Sequence, residues 1–221
     1  TKDIIPPTIA LVTPAHNSKI LVANNSSTFA ASGTCSEVGR TVSITLNTIA
    51  ASSPVNFVCD GANFSGTIST TGLSDGNFNF RARITDLAGN ATQSNINTVL
   101  KDTVAPFVGI TIAPVINLAN VGAYLLSGSC SEDGRTVTIS VGGATPIIQP
   151  TCASGVWSAT VDTTLVADNV ALPVTADMQD INGNPATQAT ASVVKDTLTP
   201  VLAITSSPDA NFATASGYTI S

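Results

Sequence analysis

Apolar and polar residues alternate along much of the chain. Val42, Ile44 and Leu46 are separated by Ser43 and Thr45, and Val137, Ile139 and Val141 by Thr138 and Ser140. Phe78, Phe80, Ala82 and Ile84 keep the same period, as do Leu172, Val174, Ala176 and Met178, with mostly polar residues between them. Successive side chains of a strand point to opposite faces, so this period predicts strands with one buried and one wet face. Turn signals end the runs at Val38-Gly39, Asp60-Gly61, Asp75-Gly76 and Ala88-Gly89-Asn90, where Gly supplies positive φ and Asp or Asn a local hydrogen bond. No stretch carries a sustained helical stripe. The expectation is an all-β chain built of two-sheet sandwiches. Pro173 interrupts one run and is expected near its strand's start, where a missing N–H is tolerated.

The pattern itself repeats. Ser32 to Thr45 reads SGTCSEVGRTVSIT, and Ser127 to Ser140 reads SGSCSEDGRTVTIS, 127 − 32 = 95 positions later. ITDLAGNATQ from Ile84 returns as MQDINGNPATQ from Met178, and VLKDTVAP from Val99 as VVKDTLTP from Val193, each 94 positions on. Three blocks in one order at nearly one offset mean tandem copies of one unit. The expected layout is a linker from a preceding repeat at 1–7, repeat 1 at 8–101, repeat 2 at 102–195, and the truncated start of a third repeat at 196–221. Val201, Ala203 and Ile204 of that last segment want cover that its own residues do not supply, so it is not expected to fold alone. Thr1-Lys2-Asp3 reads as the interior of a longer chain, with any targeting or anchoring segment outside it.

These blocks resemble the bacterial Ig-like repeats of large surface proteins, including giant non-fimbrial adhesins. The resemblance rests on the DT-x-x-P linkers (Asp102 to Pro106, Asp196 to Pro200), on D-x-x-G-N ahead of the last strand (Asp86 to Asn90, Asp180 to Asn184), and on an aromatic before a strand (Phe64, Trp157). It covers essentially the whole chain, although the first linker departs from the pattern as the stiffer Asp3-Ile4-Ile5-Pro6-Pro7. It implies tandem Ig-like sandwiches of about seven strands each, in an extended array. It also implies calcium at inter-repeat junctions.

Charge removes several function classes. The formal net charge is −6, and the eight basic residues are scattered, whereas a nucleic-acid reader needs a basic face to displace counterions. No apolar run approaches the roughly 18 residues of a membrane span. Hydrophobic residues make up 43% of the chain, enough to bury a core.

The cysteines occupy equivalent positions, Cys35 and Cys59 in one copy, Cys130 and Cys152 in the other. Three pairings are formally open. One bridge per repeat is the natural reading, since threading puts both cysteines of a copy at the same end of the sandwich, and free buried thiols are the alternative. Bridges imply an oxidising compartment, extracellular or cell-surface. Zinc is a poor reading with one histidine in the chain.

That threading also gathers Asp3, Glu37 and Asp86 at one end of repeat 1, and Asp102, Glu132, Asp133 and Asp180 at the same end of repeat 2. Carboxylates beside backbone carbonyls are what calcium uses. The competing reading is that an Asp ahead of a Gly-Asn turn caps that turn with its own side chain. The dense D-x-D-x-D pattern of a dedicated calcium loop is missing. His16 sits in a turn with no counterpart in the second copy, which reads as a loop histidine. Arg81 and Arg83 fall on a wet face, replaced by Thr175 and Asp177 in copy two. No G-x-S-x-G elbow occurs, and Trp157 aligns with Phe64 as a core residue rather than a sugar platform.

The function this predicts is non-enzymatic: a stalk or spacer segment whose partners are neighbouring repeats and a host-cell or surface ligand of the parent protein. Ig-like accessory modules of a secreted enzyme, or a self-associating extracellular filament subunit, are the alternatives.

Overall fold

The structure, a computed structural model, describes residues 2–46 and 55–205, with only the backbone of 144–147. Fifteen strands and no helix occur among the described residues. They form two sandwiches, each around its own core.

The first sandwich packs a three-stranded sheet on a larger one. The smaller sheet has the order β1 (Ile9–Thr13), β3 (Phe29–Cys35), β6 (Asn63–Ile68). The larger runs β2 (Lys19–Ile20), β9 (Asn97–Lys101), β7 (Gly76–Thr85), β4 (Thr41–Leu46), β5 (Val55–Val58), with the short β8 (Ala91–Gln93) also on β7. Val42, Ile44, Leu46, Phe78, Phe80, Ala82 and Ile84 all point into the core, as the period of two requires. Only β2 and β9 pair in parallel.

The second sandwich repeats this plan in fewer strands. β10 (Tyr124–Ser129) pairs with β13 (Val156–Val161), opposite a sheet ordered β12 (Ala144–Ile148), β11 (Val137–Val141), β14 (Asn169–Met178), β15 (Ala189–Lys195). Its first edge is reduced to isolated bridges, Val108 to Cys130 and Ile112 to Ser127. The register slips by one residue between them, a bulge that breaks the ladder. The same slip in β1, between Leu11 and Thr13, leaves a recognisable strand. Ile116 then bridges Lys195 in parallel, as Ile20 bridges Lys101.

Pro173 lies mid-strand rather than near the start, because β14 begins at Asn169. Its carbonyl accepts from Gly142 N at 2.7 Å. The N and C=O of one strand residue face the same neighbour, so the missing N–H falls beyond Val141, where β11 has already ended.

A disulfide clamps the two sheets of each sandwich. Cys35 ends β3 in one sheet and Cys59 follows β5 at the edge of the other, with Cα atoms 6.0 Å apart. Cys130 and Cys152 do the same at 6.1 Å. No free cysteine occurs among the described residues. Between the sheets, Trp157 lies flat on Gly128 and donates Nε1–H to the carbonyl of Gly109 at 3.0 Å. A Cβ at Gly128 would stand 1.8 Å from that carbonyl and 2.6 Å from the indole. Gly33 and Phe64 make the equivalent contact. The Ser-Gly-x-Cys block is thus a strand in which only glycine lets the aromatic core residue reach the backbone.

Of the expected third-repeat start, 206–221 lies outside the described residues. In 196–205 no strand forms, and Val201 and Ile204 are exposed.

Two outcomes follow from this packing. Gly128→Ala should destabilise the second sandwich by about 3 kcal/mol while leaving the first unchanged, seen as one of two urea transitions moving. Reduction should cost each sandwich about 3 kcal/mol, and peptide mapping without reductant should recover only the two within-repeat pairs.

Candidate functional site at the inter-repeat junction

The acidic residues of the D-x-x-G-N blocks are occupied by their own turns. Asp180 is only 6% exposed. Its Oδ1 accepts the backbone N–H groups of Asn182, Gly183 and Asn184, and its Oδ2 accepts Asn184 Nδ2 at 2.7 Å. Gly183 takes φ 104°, closing a turn that a β-carbon would strain. Asp86 holds Asn90 in the same way, Oδ1 to N at 2.8 Å and Oδ2 to Nδ2 at 2.7 Å. Burial alone would raise the Asp180 pKa and is the largest single influence on it, but the side-chain and backbone donors of Asn184, Gly183 and Asn182 outweigh it and hold the carboxyl below its ordinary value. Asp86 is also lowered, first by the Asn90 side chain.

Capping leaves Asn184 with a spare oxygen and a spare proton, and both reach across the junction. Oδ1 accepts the backbone N–H of Val22, in the turn after β2 of the first sandwich, at 2.8 Å. Nδ2 donates its second proton to the carbonyl of Asp102 in the linker, at 3.0 Å. Asn184 is completely buried. Asn182 adds a hydrogen bond from Nδ2 to Asp102 Oδ2, and its carbonyl accepts from Lys19 Nζ at 3.3 Å. Three segments therefore meet on one neutral side chain.

The linker is tied backwards as firmly as forwards. Asp102 N donates to Ile20 O at 2.9 Å. Asp102 Oδ1 accepts Val104 N, a local turn that Asp3 repeats with Ile5 and Asp196 with Leu198. Thr103 donates from N and Oγ1 to Asp75, in the loop before β7, and the buried Lys101 ammonium lies 3.5 Å from Asp75 Oδ1. Asp168, Lys195 and Thr197 reproduce the set, with Lys195 Nζ at 2.8 Å. Both carboxyls are pushed below their usual value, Asp75 first by the Thr103 N–H and Asp168 first by the Lys195 ammonium.

The seven acidic residues expected to gather do so only in part. Asp180 and Asp102 meet through Asn182 and Asn184, and Asp86 and Asp3 through Asn90, whose Nδ2 lies 3.4 Å from the Asp3 carbonyl. Asp133 instead accepts Gly155 N beside the second disulfide. Glu37 and Glu132 contribute backbone carbonyls to their own turns, accepting from Arg40 N and Arg135 N. No group of three or more His, Cys, Asp or Glu side chains is placed to hold a metal ion among the described residues. Calcium takes six to eight oxygens. Here the Asn184 –NH2 already engages Asp180 Oδ2 and the Asp102 carbonyl, and the Arg40 guanidinium engages the carbonyls of Thr85 and Asp86. As arranged, these oxygens do not fit a calcium site.

Other candidates have ordinary employment. His16 is exposed, and its Nδ1 accepts Thr98 N at 3.1 Å, pinning its loop to β9. Arg81 Nε donates to Ser94 O, and Arg83 lies on the outer face of β7. Trp157 is buried.

The sequence reading did not single out Asn182, Asn184, Asp75, Asp168, Lys101 or Lys195 for the roles they have. The available signal was the joint recurrence of Lys-Asp-Thr with an Asp before the preceding long strand.

Neither a protein-family profile nor a curated protein sequence matches the chain. Solved structures do. One, described as a Ca2+-stabilized adhesin that helps an Antarctic bacterium reach out and bind ice, is 24% identical with a TM-score of 0.52, and the match covers 92% of this chain and 54% of that one. Another, described as a 1.5-MDa bacterial ice-binding adhesin, is 24% identical with a TM-score of 0.46, covering 87% and 65%. Fibronectin(III)-like modules of Clostridium thermocellum CbhA are 13% identical with a TM-score of 0.46, covering 85% and 95%. This chain thus spans about half the length of the first of these structures. With the first of these the likeness is one of fold alone, and it agrees with the all-β sandwiches described above.

The lowered carboxyls set the acid response. Their pKa values in the folded chain lie below the ordinary 3.8. The stability they add is therefore complete above that value and is lost as pH falls through the lower folded values. Melting temperature should be level above about pH 5 and drop below about pH 4. Asp180→Asn should flatten the part of that drop belonging to the second sandwich.

Proposed function

We propose that the chain is a non-enzymatic spacer segment of a large bacterial cell-surface or secreted protein. Repeats at 8–101 and 102–195 are stacked end to end into a stiff stalk that carries a binding region of the parent protein away from its anchor. The observation that carries this reading is the Asn184 clasp. A linker held only at its ends would let successive sandwiches swivel. A side chain bonded to the preceding repeat, the linker and its own turn restrains both bend and twist.

Several facts support the rest. The two disulfides fit an oxidising compartment. No helix among the described residues is long and apolar enough to cross a membrane. The histidine is engaged by backbone rather than by a nucleophile. Adhesion to ice, and stabilisation by calcium, are stated of a structural neighbour. In this chain the Asn184 amide does what calcium would do through Asp102, Asp180 and Glu132 or Asp133.

Small-angle scattering tests the proposal. The maximum dimension should match two rigidly stacked sandwiches and stay unchanged when calcium or a chelator is added. Asn184→Ala should broaden the distance distribution at a stability cost of about 1–3 kcal/mol. Asn90→Ala, which removes the equivalent cap away from this joint, should leave the distribution alone. An unsubstituted chain already flexible at the joint would refute the stalk, and stiffness lost with chelator would return the role to the acidic residues.

A further inference from the structure

The occupied junction has two halves, and each half recurs in the other sandwich, where no described residue completes it. One half is the turn after β2. Leu21 N donates to Asn24 Oδ1, Asn24 Nδ2 donates to Lys19 O, and the braced turn presents the Val22 N–H to Asn184. In the second sandwich Asn117 N donates to Asn120 Oδ1 at 2.8 Å, Asn120 Nδ2 donates to Val115 O at 2.9 Å, and Asp196 N donates to Ile116 O at 3.0 Å. Leu118 stands where Val22 stands. Leu118 is 63% exposed, and its N–H meets no acceptor among the described residues.

The other half is the capped Asn. Asn90 is fixed by Asp86 through N and Nδ2, and its second amide proton turns to the Asp3 carbonyl, as that of Asn184 turns to Asp102. Its Oδ1 accepts no hydrogen bond among the described residues. The neighbouring positions differ between the halves in a matched way. At the occupied joint Lys19 meets the carbonyl of Asn182. In the other two halves these positions are Val115 and Ala88, both exposed, with Leu118 and the 90%-exposed Leu87 beside them. The Lys19 ammonium on a backbone carbonyl at one joint would give way, at the other, to apolar contact among Val115, Leu118, Leu87 and Ala88.

We propose that the Leu118 turn and the Asn90 turn are complementary docking surfaces. Each accepts another Ig-like repeat of this kind by the Asn-to-backbone clasp seen between Val22 and Asn184, with apolar flanks in place of the Lys19 contact. The proposal rests on the stalk reading and extends it: the clasp is a propagating joint rather than a device peculiar to one pair of repeats, and it needs no metal.

The test joins residues 2–200 to a second copy that begins at Thr8 and runs to Pro200, so that the linker Asp196 to Pro200 stands where Asp3 to Pro7 stands. Hydrogen exchange read by NMR reports the clasp directly, because a bonded amide exchanges only on opening. Leu118 N–H of the first copy should exchange at least about tenfold more slowly in the joined chain than in the single chain. Asn90→Ala in the second copy should restore the fast rate. Val22 N–H serves as the internal reference, slow in both chains and fast in Asn184→Ala. Equal Leu118 rates in single and joined chains, with Val22 still slow, would overturn the propagating joint and leave the stalk reading standing. Fast exchange at both Val22 and Leu118 would overturn both.

Discussion

A carboxylate set beneath its own turn has to be met by enough N–H groups to remain charged out of bulk water. Asp180 is met by three backbone donors and one side-chain donor, and the turn that supplies them is fixed as a consequence. What then remains of Asn184, one oxygen and one proton, points outward in an orientation the carboxylate has determined. The inter-repeat contact therefore inherits its geometry from an intramolecular cap. Removing the Asp180 carboxylate would loosen the joint without touching any residue of the first sandwich, because that carboxylate fixes both the backbone N–H and one amide proton of the Asn that spans the gap.

The two ends of each linker obey the same constraint with different chemistry. Lys101 and Lys195 are buried at the last residue of their strands, and a buried ammonium requires partners. Asp75 and Asp168 supply a carboxylate to each, and the same carboxylates take the N–H and hydroxyl of the following Thr. Lys-Asp-Thr is thus a single device. Its Lys seals the end of one sandwich, its Asp forms a local turn and faces the next, and its Thr anchors the chain between them. The disulfides act elsewhere, holding sheet to sheet within a repeat, so the fold of each sandwich and the stacking of sandwiches depend on separate groups.

How much of this is legible in sequence depends on the range of the interaction. The strands around Ile44, Phe80, Ile139 and Val174 are legible because burial on one face imposes a period that any reader can count. The layout of blocks is legible because the chain carries two copies of it. The first edge of the second sandwich is less so, since a bulge between Val108 and Ile112 leaves the alternation there without a continuous ladder. The acidic residues were expected to converge on calcium or to cap their own turns, and sequence left the two readings open. Capping is a local matter over four residues and is readable in D-x-x-G-N. The clasp joins Val22 to Asn184 across 162 positions and uses a backbone N–H, which has no sequence signature at all. The burial of Lys101 is hidden for the opposite reason, since lysine is among the residues least often buried.

A neutral amide suits this joint for a reason that lies in the charge of the chain. With a net charge of −6, stacked copies repel one another, and an ion pair placed at an exposed joint would be weakened by salt. A metal shared by carboxylates would tie the joint to the concentration of that metal. An Asn carries both a donor and an acceptor in one rigid plane. When its donor is fixed by the linker and its acceptor by the preceding repeat, rotation about either contact breaks the other. One side chain then restrains two angles between bodies that the linker backbone and the Lys19 contact also connect. The remaining contacts, Lys19 on Asn182 in one joint and Val115 opposite Ala88 in the other, can vary from repeat to repeat without altering that restraint. A long array assembled in this way could drift in surface chemistry along its length while keeping every joint stiff.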